Sequence, residues 1–386
     1  PFQWSRHANC PQIDHIRISM KSRFSVLDIR AVVAELQREL VGLRLQNVYD
    51  INSRTYIMKF SLTDRKCSIL VESGTRLHIS NFDREKNPAP SHFTMKLRKH
   101  IRTWRVEDVK QLGADRIVDI QFGPPENCYH LVAEFYARGN VLLTDGDYRI
   151  ISVLRPHSVD ETARYVAHNL YPFEKVLQHT TKTPVEIEAL LGAAPPSQNL
   201  RLALNHALDY GPQLVEHAVR VAGFPHNIKV SKFNAAFEEN FPRLLEALAE
   251  VESIFMSSPS KGYIVCQNAA DEDTSPEDLR YEEYTPCLLA QHQGKRIVEL
   301  SSFNAAVDDF YAKIESQKME TDVTSQEKLI HKKVLQLERD QQQRIARLQD
   351  TQELSRLKAQ LIEENAEAVD AVLEVIRSAL AQGKDW

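Results

Sequence analysis

The sequence has few cysteines and lacks long apolar runs. Its five cysteines are scattered, odd in number and never form a C-x-x-C pair, which argues against a disulfide framework and against a zinc site. No apolar run approaches the roughly 20 residues that a membrane helix needs. We therefore expect a reducing compartment, the cytoplasm, with nuclear shuttling as an additional location.

Catalytic signatures are also missing from the sequence. It contains no G-x-x-x-x-G-K-[ST], G-x-G-x-x-G, H-E-x-x-H or G-x-S-x-G motif, which are the signatures of phosphate, dinucleotide, zinc-protease and hydrolase sites. The 14 histidines show no ligand spacing. The sequence therefore predicts a binding protein without a metal or other cofactor, and not an enzyme.

The net charge restricts how this chain can bind nucleic acid. The 386 residues carry a formal net charge of −5, and 42% of them are hydrophobic. Such a length suits two or three domains with real cores. Because the whole chain is acidic, any contact with a polyanion must come from a local basic patch.

The order of sequence patterns predicts an α+β fold. It combines a mixed or antiparallel β domain with flanking helices, a helix-hairpin-helix unit and a long coiled-coil helix arm. The predicted divisions are an appendage at 1–19 before a natural start at Met20, an α+β domain at 20–190, a helix-hairpin-helix domain at 195–260, a strand-containing connector at 261–303 and the first part of a coiled coil at 304–386.

Several elements are specific enough to be checked. Residues 25–41 predict an amphipathic helix with Ser25 as its N-cap, and residues 91–104 predict a second helix. An antiparallel meander is expected over 116–154, and strands over "GYIVCQ" and "TPCLLAQ". Beyond residue 303 the apolar stripe of the predicted arm needs a return helix or a partner chain to cover it.

A basic segment occupies residues 86–106, where six lysines and arginines occur without an acid. Such side chains neutralise phosphates, and the interleaved His92, His100 and Trp104 can stack on unpaired bases. The alternative is a solvated helix face with Trp104 in the core. The residues predicted to bind RNA phosphates are Lys96, Arg98, Lys99, Arg102 and Arg105.

Three further charged residues also have a purely structural explanation. Asp115 and Arg116 precede an apolar strand and could contact bases or ribose, or could be simple strand-end charge. Asp28 lies in the first turn of the first predicted helix, where the helix dipole alone favours an acid.

Long stretches of the sequence resemble the NFACT family of ribosome-associated quality control factors, in its eukaryotic branch. The resemblance runs from Met20 to the last residue. The stretches that carry it include "MKSRFSVLDIRAVVAELQRELVGLRLQNVYDI" at 20–51, "VESGTRLHIS" at 71–80, "QLGADRIVDIQFG" at 111–123, "YARGNVLLTD" at 136–145, "LDYGPQLVEH" at 208–217 and "KGYIV" at 261–265.

This resemblance implies an adaptor that binds the large ribosomal subunit carrying peptidyl-tRNA and blocks subunit rejoining. It implies recruitment of charged tRNA, for alanine and in fungi threonine, for untemplated carboxy-terminal tailing. It also implies the ubiquitin ligase Listerin as a partner through the coiled coil, whose distal part lies beyond residues 304–386.

The family's tRNA-engaging positions fall on Asp28, Asp115 and Arg116. The resemblance implies that they converge in the folded amino-terminal domain. Two alternatives remain: a nucleic-acid enzyme of the formamidopyrimidine-DNA glycosylase class, with Pro1 as nucleophile, and a structural coiled-coil interaction protein. Phe2 stands where those glycosylases carry a glutamate, which argues against the first.

Overall fold

The computed structural model describes residues 20–136, 138–158, 164–257, 259–269 and 279–383. The expected appendage at 1–19, including Pro1, lies outside them. The chain divides into two compact units, Pro1–Lys313 and Ile314–Trp386, which are described separately. The predicted α+β fold class is confirmed, whereas the finer domain boundaries stay predictions.

The first unit opens with α1, Val26–Leu40, which starts where the sequence predicts. The hydroxyl of Ser25 accepts from the Asp28 backbone N–H, and the Asp28 carboxylate accepts from the Ser25 N–H at 2.7 Å. This reciprocal capping box satisfies two donors that a helix start otherwise leaves unpaired. The first helix therefore begins at a local signal that the sequence shows.

Two antiparallel sheets follow α1. The first has the order β1-β2-β3-β4, and the second has the order β5-β6-β7-β8-β9. Their strands are β1 Arg44–Asp50, β2 Thr55–Leu62, β3 Arg65–Glu72, β4 Arg76–Ile79, β5 Val106–Gln111, β6 Ile117–Phe122, β7 Tyr129–Glu134, β8 Asn140–Asp145 and β9 Ile150–Val153. A two-stranded ribbon of β10 His157–Ser158 and β11 Arg164–Tyr165 completes this part.

The predicted meander over 116–154 is confirmed, but the sequence reading missed its first strand, β5. The pairing of β5 with β6 shifts register between Val106 and Asp108. Such a bulge inserts a residue and breaks the two-residue alternation by which strands are recognised. Strand β5 therefore carries no clean periodic signal.

Helix α1 packs against β4 of the first sheet and against β5 and β6 of the second. The sheets also meet directly, since the rings of Phe60 and Phe122 stack with centroids 6.4 Å apart. Both phenylalanines are fully buried. The first helix and the two inner sheet faces thus share one core.

Helix α2, His92–Ile101, is shorter than the predicted 91–104. Thr103 leaves the helix with φ 71°, and its N–H donates to the Leu45 carbonyl of β1 at 2.7 Å. The Leu45 N–H in turn donates to the Trp104 carbonyl at 3.0 Å. Pairing with the sheet edge ends the helix early, so Trp104 and Arg105 lie on extended backbone rather than on the basic helix.

A helical region follows the sheets, with the predicted helix-hairpin-helix at α4 and α5. Pro212 occupies the first turn of α5, where its missing N–H leaves no helical bond unmade. Leu27 of α1 and Ala114 belong to the same hydrophobic cluster as these helices. The helices are α3 Pro184–Ala193, α4 Leu200–Ala207, α5 Pro212–Val221, α6 Val230–Asn234 and α7 Phe237–Met256.

A third sheet, in the order β13-β12-β14, comprises β12 Gly262–Ala269, β13 Tyr281–Thr285 and β14 Lys295–Leu300. The strand expected over "TPCLLAQ" is wrong. Only Thr285 of this stretch lies in a strand, as the last residue of β13, and the chain then runs into a 3-10 turn at Ala290–His292. Cys287 and Leu289 pack onto the helical cluster instead, so their apolar pattern reflects that contact.

Helix α8, Phe303–Glu364, begins inside the first unit. The Glu35 carboxylate accepts from the backbone N–H groups of Phe303 at 2.7 Å and Asn304 at 2.9 Å. One turn later, Asp308 accepts from the Ser80 hydroxyl at 2.7 Å and the Asn81 N–H at 2.8 Å. A buried acid therefore satisfies the orphan donors at the helix start.

The second unit contains the rest of α8 and helix α9, Ala366–Ala381. Its apolar side chains are exposed, as expected for an arm without its cover; they include Leu329, Val334, Leu337, Ile345, Leu348, Leu354, Leu357 and Leu361. Across the described residues, none of the helices is long and apolar enough to cross a membrane.

Replacing Glu35 tests the buried cap of α8. We expect Glu35→Ala to lower the free energy of unfolding by about 2–4 kcal/mol, because two buried N–H groups lose their acceptor. Urea denaturation measures the change. Glu39→Ala, at an exposed position of the same helix, is the control, and an equal loss in both variants would contradict the assigned role.

His78 should make the first unit sensitive to acid. Burial, followed by the positive charge of Arg76, holds the pKa of His78 well below its usual range. Below about pH 6.5 the unfolded chain therefore binds a proton that the folded chain refuses, so stability falls as pH drops, by up to about 1.4 kcal/mol per pH unit.

Unfolding midpoints measured between pH 7 and pH 5 check this dependence. His78→Asn, which keeps an N–H donor without the titration, should flatten the decline. His206→Asn, at an exposed position, should leave the decline unchanged. An identical pH profile in the His78 variant and the parent protein would refute the assignment.

Candidate nucleic-acid interface

Two of the three arginines of the basic segment bind the protein's own backbone. Arg98 donates through Nε and Nη2 to the Val48 carbonyl at 2.9 and 2.6 Å, and Arg102 donates through Nε to the Gln46 carbonyl at 3.1 Å. Both carbonyls belong to β1, an edge strand of the first sheet. These side chains therefore hold α2 on the sheet edge, a structural task that the sequence did not indicate.

The other cations of the basic segment differ in their surroundings. Lys99 is exposed and Lys96 is half-buried, and neither forms an ion pair with any described residue. Arg105 is exposed, and its Nε lies 3.5 Å from the Glu107 carboxylate. The positive charge available to a polyanion thus comes first from these three residues.

The aromatic residues of the basic segment form a cluster with Tyr129. The ring centroids of Trp104 and Tyr129 are 5.0 Å apart, and those of His100 and Tyr129 are 5.4 Å apart, both edge to face. Trp104 and His100 are half-buried. Trp104 is therefore part of the packing on one side and reachable on the other, and its stacking on unpaired bases stays a prediction.

Asp115 and Arg116 lie in the turn between β5 and β6. The Asp115 carboxylate accepts from the Arg116 backbone N–H at 2.7 Å, and the Asp115 N–H donates to the Leu112 carbonyl at 3.3 Å. The Arg116 carbonyl accepts from the Phe135 N–H at 2.8 Å. The backbone around Arg116 is thereby fixed from both sides.

The side chain of Arg116, unlike its backbone, is not held by hydrogen bonds to the described residues. It is half-buried, yet within the described ranges its guanidinium has no hydrogen-bond or ion-pair partner. A partly buried cation without a counter-charge is costly unless a ligand supplies one. Arg116 is therefore the best candidate in this turn for contact with an anionic ligand.

Asp28 is fully buried, unlike the Asp115–Arg116 pair. The Lys21 ammonium lies 2.9 Å from its carboxylate and also donates to the Tyr284 carbonyl at 2.7 Å. Burial raises the pKa of Asp28, and Lys21 opposes part of that rise. In this structure Asp28 fixes the start of α1, and its contact with tRNA stays a prediction.

The three predicted tRNA positions share one neighbourhood without touching. Leu27, beside Asp28, and Ala114, beside Asp115, belong to the same hydrophobic cluster. In addition, the ring of Phe135, whose N–H binds Arg116, lies 6.2 Å from the ring of Phe24 just before α1. The start of α1 and the 115–116 turn thus border the same hydrophobic cluster.

The sequence reading missed a cluster of three arginines, Arg54, Arg138 and Arg155. Arg54 donates to the Ser73 carbonyl at 2.9 Å, and Arg155 donates to the Ser73 hydroxyl at 2.8 Å. Burial lowers the pKa of Arg155, and the charges of Arg54 and Arg138 lower it further. Among the described residues none of the three is paired with an acid, so this cluster can also attract phosphate.

Two glycines bring these arginines together. A Cβ on Gly139 would lie 2.0 Å from the backbone nitrogen of Gly74, so the stretches "ESGT" at 72–75 and "RGN" at 138–140 touch through bare backbone. Both stretches are among the motifs that carry the family resemblance. Each motif contains a glycine, and these two glycines were the only indication in the sequence of a close backbone contact. The sequence alone does not show that the two stretches meet.

The fold and these cations define an α+β protein with local basic surfaces on an acidic chain. Its residues 25–383 match the family model described as "NFACT N-terminal and middle domains". The chain belongs to this family, which confirms the resemblance.

Two relatives illustrate the match. The mouse protein named "Ribosome quality control complex subunit NEMF" is 40% identical over 377 residues, which cover 95% of this chain and 35% of the mouse protein. The Schizosaccharomyces pombe protein named "Ribosome quality control complex subunit 2" is 35% identical over 423 residues, which cover 95% of this chain and 41% of the yeast protein. The chain thus spans well under half the length of these relatives.

A solved structure supports the fold alone. The crystal structure of the fibrinogen-binding protein from Staphylococcus aureus aligns with a TM-score of 0.54 at 19% sequence identity, covering 74% of this chain and 98% of that one.

Two substitutions in α2 separate the structural cations from the free ones. We expect Arg98→Ala to lower the free energy of unfolding by about 1.5–3 kcal/mol, because a charged donor to an edge carbonyl is lost. Lys99→Ala, at an exposed position of the same helix, should stay within about 0.5 kcal/mol of the parent. Urea denaturation of both variants measures this; equal midpoints would show that the Arg98 contacts do not stabilise the fold.

Proposed function

We propose that this chain is the RNA-binding part of a ribosome quality control adaptor of the cytoplasm. It binds the large ribosomal subunit that still carries peptidyl-tRNA, prevents subunit rejoining and positions charged tRNA, while the ribosome performs the chemistry. The names of the curated relatives support the ribosomal part of this proposal. Tailing with alanine or threonine, and recruitment of Listerin through the coiled coil, are its finer parts.

The observation that carries the proposal is the half-buried guanidinium of Arg116. Its backbone is fixed by hydrogen bonds to Asp115 and Phe135, whereas its half-buried guanidinium meets no acceptor in the described part of the chain. An arginine fork matches phosphate and base acceptors in pairs. The fixed backbone positions the residue, and its guanidinium fork is available to acceptors on RNA.

The exposed cations have a different task in this proposal. Lys99 and Arg105 lie in solvent, and Lys96 is half-buried beside them. Each phosphate contact releases condensed counterions, so these residues supply attraction that weakens with salt and is indifferent to sequence. Selection of tRNA and general attraction to RNA are thus assigned to separate groups of residues.

Reversing the charge of Arg116 tests the proposal. We expect Arg116→Glu to reduce the tRNA that large subunits retain with this protein by at least roughly tenfold, because a fork that binds acceptors becomes a repelling carboxylate. Co-sedimentation with purified large subunits carrying peptidyl-tRNA, followed by sequencing of the bound tRNA, provides the measurement.

The matched control is Lys66→Glu, an equal charge reversal at an exposed position of β3. Thermal unfolding should be unchanged in both variants, because neither side chain forms a hydrogen bond or an ion pair among the described residues. Normal tRNA recovery with folded Arg116→Glu protein would show that this residue does not select tRNA.

A further inference from the structure

A surface pocket of about 340 Å³ lies where the edge of the first sheet meets the start of the second. Two arginines, Arg44 and Arg105, line it together with Trp104, Glu107 and the turn that begins at Gly123. Arg105 belongs to the basic segment, whereas Arg44 comes from β1 and gave no signal in the sequence. The pocket thus joins a positive pair, an aromatic ring and one carboxylate.

The two arginines face each other across an isolated antiparallel bridge. Directly opposite residues have Cβ atoms about 4.5–5.5 Å apart, and like charges there are destabilising. Arg44 gives one donor to the Thr103 carbonyl at 3.0 Å, and Arg105 lies 3.5 Å from Glu107. Most of their donors stay free in the described structure, so an anion placed between them would relieve the repulsion.

Trp104 supplies a rigid aromatic surface beside this pair. A Cβ on Gly123 would lie 2.4 Å from the Trp104 ring, so only glycine lets the ring sit this close to the backbone. Tyr129 contacts the ring edge to face at 5.0 Å. The ring is therefore fixed on the protein side and also lines the pocket, where an unpaired base can stack on it.

Glu107 determines what kind of anion fits. Its half-buried carboxylate repels a bare phosphate that sits close to it. The same carboxylate accepts hydrogen bonds from the amino group of a base, as acidic side chains do from cytosine N4. A ligand that combines a phosphate with an amino-bearing ring therefore satisfies the whole pocket, whereas inorganic phosphate satisfies only part of it.

We infer that this pocket binds one unpaired RNA nucleotide, with its phosphate between Arg44 and Arg105 and its amino-bearing base on Trp104. The inference rests on the proposed function, because it names the RNA feature that the basic surface takes. It adds Arg44 as a binding residue and predicts a preference for cytidine over uridine, whose carbonyl at the same ring position would face Glu107.

Tryptophan fluorescence tests the pocket directly. The chain has three tryptophans, so the full chain with Trp4→Phe and Trp386→Phe reports on Trp104 alone. We expect saturable quenching by a 5′-phosphorylated cytidine tetranucleotide, with roughly tenfold weaker binding of the uridine tetranucleotide, since one hydrogen bond to a charged acceptor is worth about 1.5 kcal/mol.

Three variants in this background complete the test. Arg44→Glu should weaken cytidine binding at least roughly tenfold, because a phosphate contact becomes repulsive. Glu107→Gln should reduce the difference in affinity between the cytidine and uridine tetranucleotides. Lys66→Glu, an exposed charge reversal on β3 outside the pocket, should change neither affinity.

The inference is overturned if no oligonucleotide quenches Trp104, or if Arg44→Glu binds as the parent does. Tighter binding of a phosphoserine peptide, or equal binding of inorganic phosphate, would also overturn it, because either result removes the base from recognition. Co-sedimentation with large subunits distinguishes failure of the pocket inference from failure of the proposed function. Subunit binding without quenching leaves the proposed function standing, and quenching without subunit binding leaves only the pocket.

Discussion

One buried carboxylate joins the two ends of the first unit. Glu35, in the middle of α1, accepts from the N–H groups of Phe303 and Asn304, 268 and 269 residues later. The ring of Phe303 in turn lies 6.0 Å from Phe24 and 6.2 Å from Tyr284. The turn that Glu35 caps therefore also completes an aromatic core around the start of α1. Until residues near 303 are present, α1 carries an acid in its apolar face with no partner.

Local signals in the sequence predicted the elements that local contacts build. Ser25 and Asp28 are three residues apart, so their capping box is readable from sequence, and the Gly211–Pro212 junction is equally local. The structural use of Arg98 is not, because its acceptor, the Val48 carbonyl, lies 50 residues away. The sequence shows that position 98 is a positively charged arginine, but it does not show which group the arginine binds.

The same limit applies to the candidate interface. The family resemblance indicated Arg116, and the structure adds the reason that its guanidinium is available: the hydrogen bonds that Arg116 forms with described residues involve its backbone. The arginine cluster at 54, 138 and 155 comes from separate turns and strand ends, and no window of sequence contains it. Such sites depend on how turns meet, which is decided by backbone contacts such as that between Gly74 and Gly139.

The arginines that hold α2 on β1 have a consequence for the sheet itself. An edge strand offers unpaired carbonyls to any extended chain, which makes it a template for aggregation. Here Leu45 is paired with residues 103 and 104, Arg102 covers the Gln46 carbonyl and Arg98 covers the Val48 carbonyl. Strand β1 is thereby closed to strand addition along much of its length. The first sheet therefore cannot be extended there by another polypeptide.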